Sequence, residues 1–174
     1  VTGAIVYGGE RPGGSVKDHK EKEEAHKRKA KEVLASGVKR RLPPEYAKEE
    51  AARINEMLPH LSHEEVADLV GAQGGATVRV SAPATGSGRV LVHIGVDHPF
   101  IASCGRTIHR TDNGDTVCHN DFFFLKKRHR RGGFGMAQFS AQVKACAEAG
   151  LHAIETCAGR GNGMNGYYTW ARLG

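Results

Sequence analysis

The hydrophobic pattern of this chain changes period near residue 76, and this change limits the fold more than any other feature. After it, apolar and polar residues alternate in a series of short segments. Asn113-Gly114, a dipeptide typical of two-residue hairpin turns, separates the last two segments. The pattern predicts an antiparallel meander of four strands: Ala76–Ala82, Arg89–Val96, Ile101–Arg110 and Thr116–Leu125.

Helical spacing and helix-ending residues predict the other elements. Ser62 and Glu65 form a capping box before a short helix that Gly71 ends. Three longer helices, a fifth strand and a short last helix are also predicted: Val16–Ala35, Glu45–Met57 and Phe134–Ala149, the strand Leu151–Ala158, and the helix Met164–Leu173. We therefore expect an α+β protein whose central, mostly antiparallel sheet is flanked by helices.

Glycine is distributed unevenly, and this indicates how the chain is divided. Six of the 23 glycines lie in residues 1–70 and seventeen in residues 71–174. We place the main boundary at residues 71–75. The sequence then predicts a charged N-terminal arm over 1–42, a helical segment over 43–75 and the main domain over 76–174.

Length and composition exclude several classes of protein. A chain of 174 residues has room for one domain with an appendage. Its longest apolar run is Phe122–Leu125, far below the roughly 20 residues that cross a bilayer, so no membrane partner is expected. Four cysteines without a C-x-x-C pair favour a reducing compartment and hence a cytoplasmic location.

The net charge of +6 is concentrated in the N-terminal arm. Residues Lys17–Arg41 contain ten Lys or Arg against five Asp or Glu. Mixed signs with few apolar residues predict a solvated arm. The alternative is an arm that binds a partner or a nucleic acid, together with the second basic run at Lys126–Arg131.

That second basic run continues into Gly132, Gly133 and Gly135 and then into a predicted helix. Glycines let backbone N–H groups approach an anion, and the start of a helix adds a partial positive charge. The segment therefore predicts a phosphate cradle, although a sharp strand-to-helix connection alone also needs glycine. This strand-to-helix segment matches neither G-x-x-x-x-G-K-[ST] nor G-x-G-x-x-G, which disfavours nucleotide hydrolysis and Rossmann-type dinucleotide binding here.

Two motifs occur in order on either side of the predicted fifth strand. Arg130-x-x-Gly133-x-Gly135 lies between the fourth strand and the long helix, and Asn165, Tyr167-Tyr168 and Leu173-Gly174 follow the fifth strand. In pattern and context they resemble the GCN5-related N-acetyltransferase (GNAT) superfamily over roughly residues 76–174. The resemblance implies a GNAT-like fold that binds acetyl-CoA and transfers its acetyl group to an amine of unknown identity.

The resemblance also implies which residues hold the cofactor. The diphosphate would bind the N–H groups of residues 131–136, and the pantetheine arm would follow the backbone of the fourth strand. The implied cofactor-binding residues are Phe124, Leu125, Arg130, Arg131, Gly132, Gly133, Phe134, Gly135, Met136 and Asn165.

Candidate catalytic residues follow from the same resemblance. His119 and Asp121 on the fourth strand and Glu155 on the fifth are candidate bases for the attacking amine. The family position of the tyrosine that protonates the leaving thiolate is Trp170 here, so Tyr168 is the candidate acid.

Three features depart from the family pattern. The family places two helices after its first strand, whereas both predicted helices precede Ala76; either the chain is rearranged or Ile5–Tyr7 is a displaced first strand. The family's acid is replaced, as noted. The family also continues with two more strands, so we expect the sequence to be a fragment of a longer polypeptide.

Other functions remain open. A catalytically inactive GNAT-like module, serving as a structural or interaction domain in a phage head protein, would place the chain in a virion. A basic nucleic-acid-binding protein is the second alternative. A homo-oligomer or larger assembly fits either. Cysteine and histidine spacing fits no common zinc site, and we expect no metal.

Overall fold

The computed structural model describes residues 16–41 and 48–157, together with residues 160–161 and 164–165. In this part of the chain, four helices are present: α1 Val16–Ala35, α2 Lys48–Met57, α3 His63–Asp68 and α4 Phe134–Glu148. Six strands form one sheet in chain order: β1 Lys39–Arg41, β2 Thr77–Ser81, β3 Val92–Asp97, β4 Ile101–Arg110, β5 Thr116–Leu125 and β6 Ala153–Thr156. A separate pair consists of β7 Arg160–Gly161 and β8 Met164–Asn165.

The predicted α+β class and the mostly antiparallel sheet are confirmed. β2, β3, β4 and β5 form the antiparallel meander, and β1 and β6 add to its two edges in parallel. β4 and β5 have the predicted bounds. Gly114, in the turn between them, adopts a φ of +90°, a conformation that favours glycine. The capping box is also present: Ser62 and Glu65 each bond the other's backbone N–H.

The structure corrects two predictions. Lys39–Arg41 is a strand that precedes α2 and α3, so the strand–helix–helix order implied by the resemblance is present without Ile5–Tyr7, which lies outside the described residues. Between α3 and the glycine loop the structure has four strands, β2 to β5, whereas the resemblance implies three strands in this interval. Met164–Asn165 is a strand paired with Arg160–Gly161, and not the start of a helix.

One hydrophobic core joins the sheet to α2, α3 and α4. Ile54, Val66 and Cys146 from these helices are buried together with the inward residues of the strands, such as Ile94 and Ile108. The predicted helical segment 43–75 therefore shares its core with the meander. The domain boundaries themselves stay a prediction.

The position of α4 depends on a close approach at Gly71, just after α3. A Cβ at this position would lie 2.2 Å from the Gln138 carbonyl oxygen and 2.4 Å from the Gln142 nitrogen, both in the α4 backbone. Gly71 also has a φ of +68°. Glycine is required here for space and for conformation.

The other face of the sheet is not covered by α2, α3 or α4. Arg79, His93, Thr107 and His119 point to this face, because they alternate with buried neighbours on their strands. We call it the outer face. No helix in the described residues is long and apolar enough to cross a membrane.

Helix α1 is mostly exposed, as the predicted solvated arm implies. Its charges pair along the helix, including Lys27 with Glu23 and Arg28 with Glu32. Such exposed pairs contribute little to stability. Its C-terminal half packs on the hydrophobic core through the partly buried Ala30 and Val33.

Replacing Gly71 with alanine should reduce the free energy of unfolding by about 3 kcal/mol, from backbone strain plus overpacking. Gly86→Ala is the matched control, because no described atom lies within 4 Å of its added Cβ. It should change stability by less than about 0.5 kcal/mol. Chemical denaturation of the three proteins measures both values, and equal stability of the two variants would contradict the close approach.

Candidate functional site

The loop between β5 and α4 leaves its backbone exposed. One turn of 3-10 helix, Lys127–His129, leads to Arg131 and Gly133, whose φ angles of +66° and +78° are both left-handed. Gly133 is the N-cap of α4 and provides no side chain to bond the first turn. A Cβ on Gly132 or Gly133 would meet no described atom within 4 Å. No described residue therefore fills the space in front of this backbone.

Six consecutive N–H groups, those of residues 131–136, have no acceptor among the described residues. The first N–H that bonds within α4 is that of Ala137, which donates to the Gly133 carbonyl at 3.0 Å. Free N–H groups at a helix N-terminus, with the partial positive charge of the helix, bind anions. We call residues 131–136 the cradle, and it lies where the resemblance places a diphosphate.

Uncompensated positive charge surrounds the cradle. Five basic residues lie in the cradle or directly before it in the chain: Lys126, Lys127, Arg128, Arg130 and Arg131. In the described part of the chain, no carboxylate lies within ion-pair distance of any of them. The first turn of α4 contains no acidic residue either. The site can thus attract an anion over several ångströms.

Aromatic packing supports the loop from beneath. The ring of His129 stacks on Phe100 with centroids 4.0 Å apart, and Phe134 packs edge-on against the same ring at 5.4 Å. Burial, followed by the charge of Arg128, lowers the pKa of His129 below its usual range. His98 completes the stack, 4.8 Å from Phe134.

The hydrogen bonds of His98 determine its protonation state. Its Nδ1 accepts from the Phe100 N–H at 3.0 Å, so its Nε2–H donates to the Gly74 carbonyl at 2.9 Å. Burial, the largest cause, and the charge of Lys126 lower its pKa, against the opposing effect of the Gly74 bond. The neutral imidazole is the form that fits this site.

β5 separates from β6 just before the cradle. The parallel pairing of the two strands ends at Asn120 and Thr156. The next residue, Asp121, is an extra residue in β5, because Gly105 pairs with Phe122 and Arg106 with Asn120. Such a bulge bends its strand. Along residues 121–125, β5 therefore has an edge without a strand partner among the described residues.

Arg106 stabilises the bulge from within the core. Its side chain is 2% exposed, and Nη1 donates to the Gly105 carbonyl at 2.8 Å and to the Phe122 carbonyl at 3.0 Å. The guanidinium also lies 5.8 Å from the ring centroid of Phe123. A buried charge is costly unless it is hydrogen-bonded, and these two bonds offset part of that cost, while Nε has no partner among the described residues.

A chain of polar side chains crosses the outer face beside the bulge. Thr107 Oγ1 donates to Asp121 Oδ2 at 2.8 Å and so accepts from the Nδ1–H of His93 at 3.0 Å. Asp121 Oδ1 accepts from His119 Nδ1 at 2.9 Å. The Nε2 atoms of His93 and His119 have no hydrogen-bond partner among the described residues. The structure brings together His119 and Asp121, two of the predicted bases, as one oriented pair.

The remaining predicted residues are placed differently. Glu155 lies beside His119 in register, but its carboxylate approaches His109, at 4.0 Å. Leu125 already accepts at its carbonyl from Arg130 Nε at 3.1 Å. Phe124 and Met136 are exposed, whereas Phe134 is buried and Gly135 packs against the Phe123 ring. The Asn165 side chain and all of Tyr168 lie outside the described residues.

Sequence reasoning missed His93, Thr107 and Arg106. The only available signal was strand register, since His93 pairs with Thr107 and Thr107 with His119. Of the four cysteines, Cys104, Cys118 and Cys146 are buried free thiols and Cys157 is exposed. Burial raises the pKa of Cys104. In the described residues, no group of three His, Cys, Asp or Glu side chains could hold a metal ion.

Three solved structures are similar to part of this chain. An aminoglycoside acetyltransferase from an uncultured soil metagenomic sample is 14% identical, with 48% of this chain and 58% of that chain covered and a TM-score of 0.37. Glucosamine-6-phosphate N-acetyltransferase from Arabidopsis thaliana is 12% identical, with 40% and 51% covered and a TM-score of 0.32. A Trypanosoma brucei acetyltransferase is 15% identical, with 65% and 79% covered and a TM-score of 0.33.

These likenesses are distant. The chain spans little more than half the length of the first two structures. No family model and no curated protein matches the sequence. All three structures are acetyltransferases by name, but at TM-scores below 0.5 they add no argument about this site, which is interpreted from its own geometry.

The neutral state of His98 should make stability depend on pH. A histidine whose pKa is lowered by folding binds fewer protons than in the unfolded chain, so stability is full above its ordinary value of 6.5 and decreases as pH falls below it. The decrease in unfolding free energy from about pH 7.5 to 5.5 should be smaller in His98→Gln, which keeps a donor and an acceptor but does not titrate. Urea denaturation at both pH values tests this, and equal decreases in the two proteins would contradict it.

Proposed function

We propose that this chain binds acetyl-CoA at the cradle and transfers the acetyl group to an amine. The observation that carries the proposal is the continuity of two features: six N–H groups in a positively charged loop, and the β5 edge at residues 121–125 that leads to them, both without partners among the described residues. A nucleotide thioester needs both an anion site and an extended channel. The residues present fit this cofactor, because no described side chain fills the cradle.

The residues would divide the binding as follows. The N–H groups of residues 131–136 would hold the diphosphate, with Arg130 and Arg131 neutralising its charge. The β5 edge at Phe124 and Leu125 would receive the pantetheine arm, although the Leu125 carbonyl already has Arg130 as a partner. Asn165 stays a proposed contact. The bound cofactor would supply an acetyl group activated as a thioester.

His119 is the best-supported base. Its Nε2 would accept the proton of the attacking amine, while Asp121 holds the ring and stabilises the imidazolium. This pair lies at the bulge, where β5 and β6 diverge. The Glu155 carboxylate has no comparable contact that would orient it, since its distance to His109 Nε2 is 4.0 Å. Tyr168 stays the proposed acid for the leaving thiolate.

The cradle is tested with two variants of one residue. Gly133→Asp and Gly133→Asn introduce the same backbone strain at a φ of +78°, and Asn tolerates this conformation, but only Asp adds an anion where the diphosphate would lie. By isothermal titration, Gly133→Asp should bind acetyl-CoA at least about tenfold more weakly than Gly133→Asn. Equal affinities, or no binding by the unmodified protein, would remove the cofactor proposal.

Catalysis is tested by release of free thiol from acetyl-CoA with a panel of primary amines. His119→Gln should lower the rate by about 100-fold or more, without weakening acetyl-CoA binding. Glu155→Gln is the matched control and should change the rate far less. A larger effect of Glu155→Gln would reverse the assignment of the base.

The alternatives predict other outcomes of the same assays. A catalytically inactive module would bind acetyl-CoA and release no thiol with any amine. A nucleic-acid-binding protein would bind arbitrary DNA or RNA with steep salt dependence, through the five basic residues of Lys126–Arg131.

A further inference from the structure

The outer face contains a groove whose floor is bare backbone. Gly95 on β3 and Gly105 on β4 are paired, and Phe122 on β5 pairs with Gly105. A Cβ on Gly95 would meet no described atom within 4 Å, whereas one on Gly105 would lie 2.6 Å from the Phe122 ring. The ring thus forms a wall above one glycine, and the space above the other is free.

The groove has the size and shape of a site for a small ligand. Its volume is about 800 Å³, within the usual range of ligand pockets. The Phe122 side chain is 46% exposed, so one ring face is available for stacking. Gly95 leaves a flat floor beside the Phe122 ring that lies over Gly105, because neighbouring strands lie about 4.8 Å apart and no side chain rises from Gly95.

Two carboxylates and three basic side chains line the groove, Asp97, Asp121, Arg79, Arg106 and Lys126, and Asp121 is the position that favours a cation. Asp97 is neutralised by a two-bond pair with Arg79. Asp121 bonds a hydroxyl and an imidazole, and in the described part of the chain no Lys or Arg lies within ion-pair distance of it. His93, whose Nε2 has no hydrogen-bond partner among the described residues, also lines the groove, whereas His119 is outside the lining and contacts Asp121 through Nδ1.

We propose that this groove binds the acceptor, a small primary amine attached to a flat ring, with the ammonium at Asp121 and the ring over Gly95 against Phe122. Acetylation of the bound amine rests on the proposed function, whereas binding of the amine in the groove does not. His93 becomes a positioning residue for the amine, because Thr107 joins it to Asp121. The groove and the β5 edge share the strand segment 121–122, so an amine in the groove would lie next to the segment proposed to receive the acyl group.

The test uses tyramine as the probe and the amide signals of Gly95 and Gly105 as reporters. In the ¹⁵N-labelled protein, tyramine at millimolar concentration should shift both signals, and 4-ethylphenol, which lacks the ammonium group, should bind at least about tenfold more weakly. Asp121→Asn should remove most of this preference. Absence of shifts at both glycines, or equal affinity for the two probes, overturns the proposal.

Gly95→Val separates the groove from the cradle. Valine fits a strand, and the added atoms meet free space, so the protein should fold while the floor of the groove is filled. Tyramine affinity should fall at least about tenfold, and acetyl-CoA affinity by titration calorimetry should stay unchanged. Undiminished tyramine binding by this variant overturns the groove, whereas failure of acetyl-CoA binding in the unmodified protein overturns the proposed function.

Discussion

The site depends on one extra residue in β5 and on the buried arginine that stabilises it. Without Asp121 as a bulge, β5 would continue straight, and its edge would remain available for pairing with β6. Arg106 bonds the Gly105 and Phe122 carbonyls next to the bulge from within the core. These bonds offset part of the cost of burying the charge, and an apolar residue at this position would remove both.

The two faces of the sheet have separate tasks. α2, α3 and α4 cover the inner face and form the hydrophobic core, and the approach of α4 to Gly71 fixes where its N-terminus, and hence the cradle, lies. The outer face displays polar side chains in register. The unpaired edge of β5 lies between the two, so an anion bound on α4 and an amine bound on the outer face would meet at the same strand.

Much of the fold could be predicted from the sequence, because local signals were strong where they existed. Asn113-Gly114 fixed the bounds of β4 and β5, and Ser62 with Glu65 fixed the start of α3. Lys39–Arg41 gave no signal, because three exposed basic residues show no alternation. In the site, the glycines of residues 132–135 predicted the cradle. The contact between Thr107 and Asp121 could not be predicted, because it depends on the register of two strands and on a bulge, which composition does not encode.

The burial of three of the four cysteines has a practical consequence. Cys157 is the exposed thiol, and it follows directly after the end of β6, where the two parallel strands part. A maleimide dye would therefore react there first in the folded protein. The emission of a dye on this native cysteine would report on ligand binding where β5 and β6 diverge.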